Sequence, residues 1–221
     1  MAASSSQQQL GGLYVGCAGY SYAHWRKGVF YTHGLKQDAE LRHYSQVFGT
    51  CEINSSFYGT PSRETCAHWL QQVTGNTSFQ FTLKMRQTIT HGHNQMPESP
   101  GRGGGGGGSS SPAHERREAG HRLEPLSSEA LEAEMPLFLE RCEQLRTGND
   151  GASPPSLGVV LLQFPPSFEM SLEALERLAR HLPGGGEAPA IAASAAPRGA
   201  YRFALEFRHE SWYTPDVYAV R

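Results

Sequence analysis

Six side chains in this 221-residue sequence carry charge or amide groups at the ends of apolar runs: Glu52, Asn54, Lys84, Gln163, Glu206 and Arg208. Two glutamates can divide acid and base work between them, so Glu52 and Glu206 are the candidate catalytic pair. Lys84 and Arg208 could bind a phosphate or carboxylate, or move the pKa of a neighbouring glutamate, while Asn54 and Gln163 offer amide contacts to a ligand. The same residues also admit a purely structural role. Glu52 paired with Lys84, and Glu206 with Arg208, would form an internal network that does no more than neutralise buried charge.

Strands must position these groups. Cys51-Glu52-Ile53-Asn54 begins as a buried strand, and residues two apart on a strand share a face, which puts Glu52 beside Asn54. Phe79-Gln80-Phe81-Thr82-Leu83-Lys84 ends in the same way, as do Leu157–Phe164 with Gln163 and Tyr201–Arg208 with Glu206 and Arg208. A short strand over Tyr14–Ala18 precedes them, followed by an aromatic-rich loop from Tyr20 to Tyr31.

Helical spacing fills the intervals. Leu41, Tyr44 and Phe48 mark a first helix stopped by Gly49, and Thr60-Pro61-Ser62 supplies a cap and first-turn proline for a second with Cys66, Trp69, Leu70 and Val73 inward. Leu131, Met135, Phe138, Cys142 and Leu145 form the stripe of a third, which Pro136 should kink or restart. Ser171 caps a fourth with Leu172, Leu175, Leu178, Ala179 and Leu182 inward, and Thr214-Pro215 opens a fifth. This alternation predicts an α/β fold with a mainly parallel sheet, whose connections bring every strand's carboxyl end to one rim.

The domain boundaries follow from composition. Residues 1–12 read as a disordered terminus, and residues 13–221 as one domain carrying two disordered inserts. The first insert, 92–125, holds six consecutive glycines and a mixed-charge run; the second, 183–200, is glycine, proline and alanine. With 19 basic and 21 acidic residues the chain has no field to draw in phosphate backbones, so nonspecific nucleic-acid binding is disfavoured. The four cysteines have neither close pairing nor zinc-type spacing, and read as reduced core residues. A polar start without a signal or transit pattern, and no bilayer-length apolar run, leave a cytoplasmic location and no membrane partner as the expectation.

His91 and His209, just past two of the strands, make a nitrogen-and-oxygen set with Glu52 and Glu206 that could hold a divalent metal. No His-x-His or Glu-x-x-His element falls on a single expected helix, and His91-Gly92-His93 runs straight into the glycine-rich insert, so the metal and any cofactor stay unassigned. Ser21 in Gly19-Tyr20-Ser21-Tyr22 has the look of a nucleophile elbow, but the loop is packed with aromatics where a triad would need partners. Tyr20, Trp25 and Tyr58, with Tyr22, Phe30, Tyr31 and Phe57, read either as a stacking surface for a sugar or base or as a lid over the rim.

Taken in order, Val15-Gly16-Cys17-Ala18-Gly19-Tyr20-Ser21-Tyr22 with Trp25, Phe30-Tyr31, Glu52-Ile53-Asn54-Ser55-Ser56-Phe57-Tyr58, Thr90-His91, Leu162-Gln163-Phe164-Pro165 and Glu206-Phe207-Arg208-His209 with Ser211-Trp212 resemble the YecE-like family, a domain of unknown function. The resemblance implies a (β/α)8 TIM-barrel type fold, broadly similar to sugar-isomerase and apurinic-endonuclease barrels, with no established reaction. Only about five βα units are present, and the family's Arg-x-His-Gly element is missing, so an incomplete barrel is expected. The leading expectation is a barrel acting on a small polar, sugar-like or phosphorylated ligand as a hydrolase or isomerase. The alternatives are a non-catalytic ligand-binding barrel or an inactive truncated fragment.

Overall fold

The computed structural model describes residues 13–92, 124–148, 156–183, 201–215 and 217. Five parallel strands form one sheet in sequential order: β1 (Gly16–Ala18), β2 (Thr50–Ile53), β3 (Gln80–Lys84), β4 (Leu157–Gln163) and β5 (Phe203–Glu206). Sequential parallel order is the arrangement of successive strands in a (β/α)8 barrel, and here the sheet is open, with β1 and β5 as its two edges among the described residues. Between the strands run α1 (Glu40–Val47), α2 (Ser55–Tyr58), α3 (Arg63–Gln72), α4 (Gln87–Thr90), α5 (Ser128–Thr147) and α6 (Leu172–His181). Among the described residues no helix is long and apolar enough to cross a membrane.

Alternation divides the sheet into two unlike faces. Cys51 and Ile53 on β2, Phe81 and Leu83 on β3, and Val160 and Leu162 on β4 are buried against the helices, where they meet Trp69, Leu70, Leu131, Phe138 and Cys142. Glu52, Thr82, Lys84, Val159, Leu161 and Gln163 fall on the other face and are only half-buried. Two glycines set the register. A Cβ on Gly16 would lie 1.9 Å from the Thr50 carbonyl oxygen, so β1 can approach β2 only without a side chain there. At Gly158 the register of β4 slips by one residue against β3, and a Cβ would press on Gln80 and the Phe81 carbonyl at 3.1 Å.

Several expected boundaries move. The second strand stops at Ile53, because Asn54 already has helical backbone angles (φ −72°, ψ −26°) and opens α2. Asn54 therefore leaves the strand alternation that was to align it with Glu52. Ser62, not Thr60, caps α3 by accepting from the Thr65 amide at 3.1 Å, which leaves Pro61 ahead of the helix. Pro136 neither ends nor restarts α5, since burial of Leu131, Met135, Phe138, Cys142 and Leu145 on both sides of it offsets the lost backbone hydrogen bond. Ser171 caps α6 as expected, yet Leu172 is 45% exposed and Ala174 takes the inward position in its place. β5 ends at Glu206, so Arg208 extends from the loop beyond it.

The expected disorder at 1–12, 92–125 and 183–200 falls almost wholly outside the described residues, as does most of the helix after Thr214-Pro215. The chain is tied where the segment 92–125 meets the fold: the buried Leu126 donates its amide to the Ile89 carbonyl at 2.7 Å, and Arg177 caps the Leu126 carbonyl at 3.0 Å.

Candidate functional site

Lys84, Gln163 and Glu206 end three adjacent strands on the half-buried face, and they are joined by hydrogen bonds. Lys84 Nζ donates to Gln163 Oε1 at 2.9 Å, and Gln163 Nε2 donates to both Glu206 oxygens at 2.9 and 2.8 Å. Arg208 Nε completes the row with a 3.0 Å bond to Glu206 Oε1. The glutamine is thus a spacer between ammonium and carboxylate, with its amide orientation set by a donor on one side and an acceptor on the other. Lys84 forms no ion pair within 4.0 Å among the described residues; its other neighbour is the Phe57 ring, 4.9 Å from Nζ to the centroid.

Glu52 projects from β2 on the same face, one strand from Lys84. Its carboxylate accepts no hydrogen bond among the described residues, and burial raises its pKa, with Glu206 adding to the rise and Lys84 opposing it. Glu206 moves the other way. The Gln163 bond chiefly, with the Arg208 bond and the charges of Arg208 and Lys84, holds it below the ordinary carboxyl value against partial desolvation. One mouth therefore contains a carboxyl group biased toward its protonated form and another biased toward its ionised form, each within electrostatic reach of Lys84.

α2 and α4 build the flank of this mouth. Ser56, wholly buried, donates through its hydroxyl toward the Ile53 and Lys84 carbonyls at 2.7 and 2.8 Å and so pins α2 across the ends of β2 and β3. That anchoring places Phe57 between Lys84 and His91, whose ring meets it edge-on at 4.9 Å. His91 Nδ1 is bonded to Thr90 Oγ1 at 2.9 Å. Tyr58 points outward and is 49% exposed, and Asn54 caps no backbone group with its side chain. His209 is engaged locally: its Nδ1 accepts the Ser211 amide at 3.2 Å and caps the short 3-10 turn Glu210–Trp212. Among the described residues no three His, Cys, Asp or Glu side chains converge as a metal would need.

The structure does not bring Tyr20 and Trp25 to this mouth. They belong to an aromatic wall on the helix-covered face, where Trp25 stacks on Tyr44 of α1 with 6.3 Å between centroids and Tyr31 donates its hydroxyl to the Tyr20 carbonyl. Tyr44 in turn meets Phe79, which packs on Phe81 of β3. Behind the wall lies a group that sequence reasoning missed, the fully buried Glu40. Arg26 Nε donates to its Oε1 at 2.5 Å, and Nη2 and the Ser21 hydroxyl reach its Oε2 at 3.3 and 2.7 Å. Burial pushes the Glu40 carboxyl upward, but the Arg26 and Ser21 bonds outweigh it and leave the group below its ordinary value. The available signal was an arginine inside an aromatic run, a cation that favours an anionic partner where it packs against apolar rings.

The family profile described as "Protein of unknown function DUF72" matches residues 14–221. Two crystal structures of a DUF72 family protein from Enterococcus faecalis V583 are similar to this chain. One, at 18% identity and a TM-score of 0.45, aligns with 81% of this chain and 51% of its own. The other, at 19% identity and a TM-score of 0.47, aligns with 80% and 46% respectively. The chain spans about half the length of these structures. No curated protein matches it.

Proposed function

The chain belongs to the DUF72 family, and on that premise we propose that its half-buried sheet face performs acid–base chemistry on a small polar, sugar-like or phosphorylated ligand, as a hydrolase or isomerase. The observation that carries this reading is the opposed displacement of two glutamates at one mouth, Glu52 upward and Glu206 downward. Glu52 then gives a proton to a leaving or carbonyl oxygen, and the ionised Glu206 accepts one from the ligand or from an attacking water. Lys84, whose direct partners among the described residues are neutral, stabilises negative charge on the ligand, and Arg208 orients Glu206. The Phe57 ring offers a face to the apolar side of a sugar.

A second reading has its own support. Both Glu206 oxygens are already engaged by Gln163 and Arg208, as a resting network in a non-catalytic ligand-binding protein would have them. Carboxyl-carbon NMR titration of Glu52 and Glu206, paired with thermal-shift screening of neutral sugars and sugar phosphates, separates the two. Acid–base function requires Glu52 to titrate well above Glu206 and a stabilising ligand to lose its effect in Glu52→Gln. Titration of both groups together in the ordinary carboxyl range would sink the proposal.

A further inference from the structure

We infer that Cys17 and Cys51 form a cross-strand dithiol which an oxidant of the peroxide class converts into a disulfide, a modification site on the face of the sheet opposite the acidic mouth. The two residues are direct register partners on the parallel strands β1 and β2. Neighbouring strands lie roughly 4.8 Å apart, inside the window of Cα separations, about 4.4 to 6.8 Å, that a disulfide spans. The lack of any side chain at Gly16, where a Cβ would strike the Thr50 carbonyl, keeps the strands close immediately beside the pair.

Orientation agrees with spacing. Ala18 and Glu52 are the next partners in register and take the mouth face, so Cys17 and Cys51 both take the helix face. There they share one neighbour. The Tyr44 hydroxyl accepts the Cys17 amide at 2.7 Å and donates to the Thr50 carbonyl, beside Cys51, at 3.0 Å. All four cysteines are free, but they differ in access: Cys17 is half-buried on a strand that is an edge among the described residues, whereas Cys51, Cys66 and Cys142 are buried. The more accessible Cys17 is therefore the first to react, and the buried Cys51, whose thiol burial pushes up to about 12, is left as the resolving partner.

The chemistry balances with hydrogen peroxide as the two-electron oxidant. The Cys17 thiolate attacks one peroxide oxygen, the O–O bond breaks, and the departing hydroxide takes a proton to give water and Cys17 sulfenic acid. The Cys51 sulfur then attacks Cys17 Sγ, the S–O bond breaks, and hydroxide leaves with the Cys51 proton as a second water. Two thiols lose two electrons in all, and a thiol reductant reverses the change.

The test is intact-mass and peptide mapping of the folded chain after graded hydrogen peroxide, with free thiols alkylated before digestion. The expected result is loss of two alkylatable thiols, recovery of a linked peptide carrying Cys17 and Cys51, and reversal by dithiothreitol. Cys17→Ser should abolish the link, and the Cys66→Ala/Cys142→Ala variant should retain it. Because Cys51→Ser places a hydroxyl in the core, Cys51→Ala serves as the second variant, and in it Cys17 should remain at the sulfenic or sulfinic stage. A link mapping to Cys66 and Cys142, a Cys17–Cys17 dimer, or Cys51 still fully alkylatable after Cys17 is oxidised would each overturn the inference.

Discussion

Glu40 and Glu52 stand on opposite faces of one sheet, and the more deeply buried of the two is the one whose charge is favoured. Glu40 is fully buried yet held below its ordinary value, because Arg26 and Ser21 deliver hydrogen bonds to both of its oxygens. Glu52 is only half-buried yet raised, because burial penalises its charge and no donor reaches it among the described residues to offset that. Burial sets the cost of a charge, and the partners decide whether the charge is kept. A wall is built where the partners are complete. A carboxyl group biased toward its protonated form is left where they are withheld.

One chemical change, glutamate to glutamine, tests that contrast at three positions. Glu40→Gln should be the most damaging, with a loss of about 2 kcal/mol in urea unfolding. That is below the roughly 3–5 kcal/mol of a fully buried broken pair because Arg26, its side chain 35% exposed, can turn to solvent. A loss under about 0.5 kcal/mol would remove the distinction between the two faces.

Glu206→Gln should cost at most about 1 kcal/mol at pH 7, since its side chain is 42% exposed and solvent screens the pair. Its folded pKa lies below the ordinary 4.5, so the native contribution is present above that value and is lost as pH falls through the lowered one. Urea midpoints of wild type and variant should therefore converge as the pH falls below the ordinary carboxyl value, and a gap that widens on acidification would contradict the assignment.

Glu52→Gln should leave stability at pH 7 unchanged or raised within about 0.5 kcal/mol. The sign follows from the raised pKa: above it the ionised Glu52 penalises the folded state, and below the ordinary 4.5 both states are protonated and the difference vanishes. Clear destabilisation at neutral pH would show that Glu52 has a partner after all. The smallest effect is expected from Lys84→Met, which removes the one charge that opposes the rise and should move Glu52 further up in an NMR titration without abolishing folding. No movement would mean that Lys84 and Glu52 do not share a site.

Much of this was readable before any coordinates. The stripe of α5 and the ends of β3, β4 and β5 follow from periodicity, because period 2 and parallel connection together send Lys84, Gln163 and Glu206 to one rim. The diagonal pairing was not readable. Alternation predicts a shared face but not a reach, so it could not show that Lys84 would bond Gln163 in preference to Glu52. Asn54 was placed on the strand because Glu52-Ile53-Asn54 alternates, while Asn54-Ser55-Ser56 is equally a helix-start cluster, and the Ser56 hydroxyl decides the matter through two carbonyls. The Tyr20 to Tyr31 loop carries no period at all. Nothing local fixes the face over which such a loop folds, and partners on α1 such as Tyr44 and Glu40 determine it.

The bond between Leu126 and Ile89 has a use beyond stability. It fastens the chain on both sides of residues 93–123, so departure and return share one doorway in the fold. Ring-closure entropy grows only with the logarithm of length, about 0.6 kcal/mol for each doubling, once the two ends are fixed together. The doorway is therefore a grafting port: a fluorescent domain or a short glycine-serine bridge joined between His91 and Glu124 is expected to carry a closure cost set mainly by its own length.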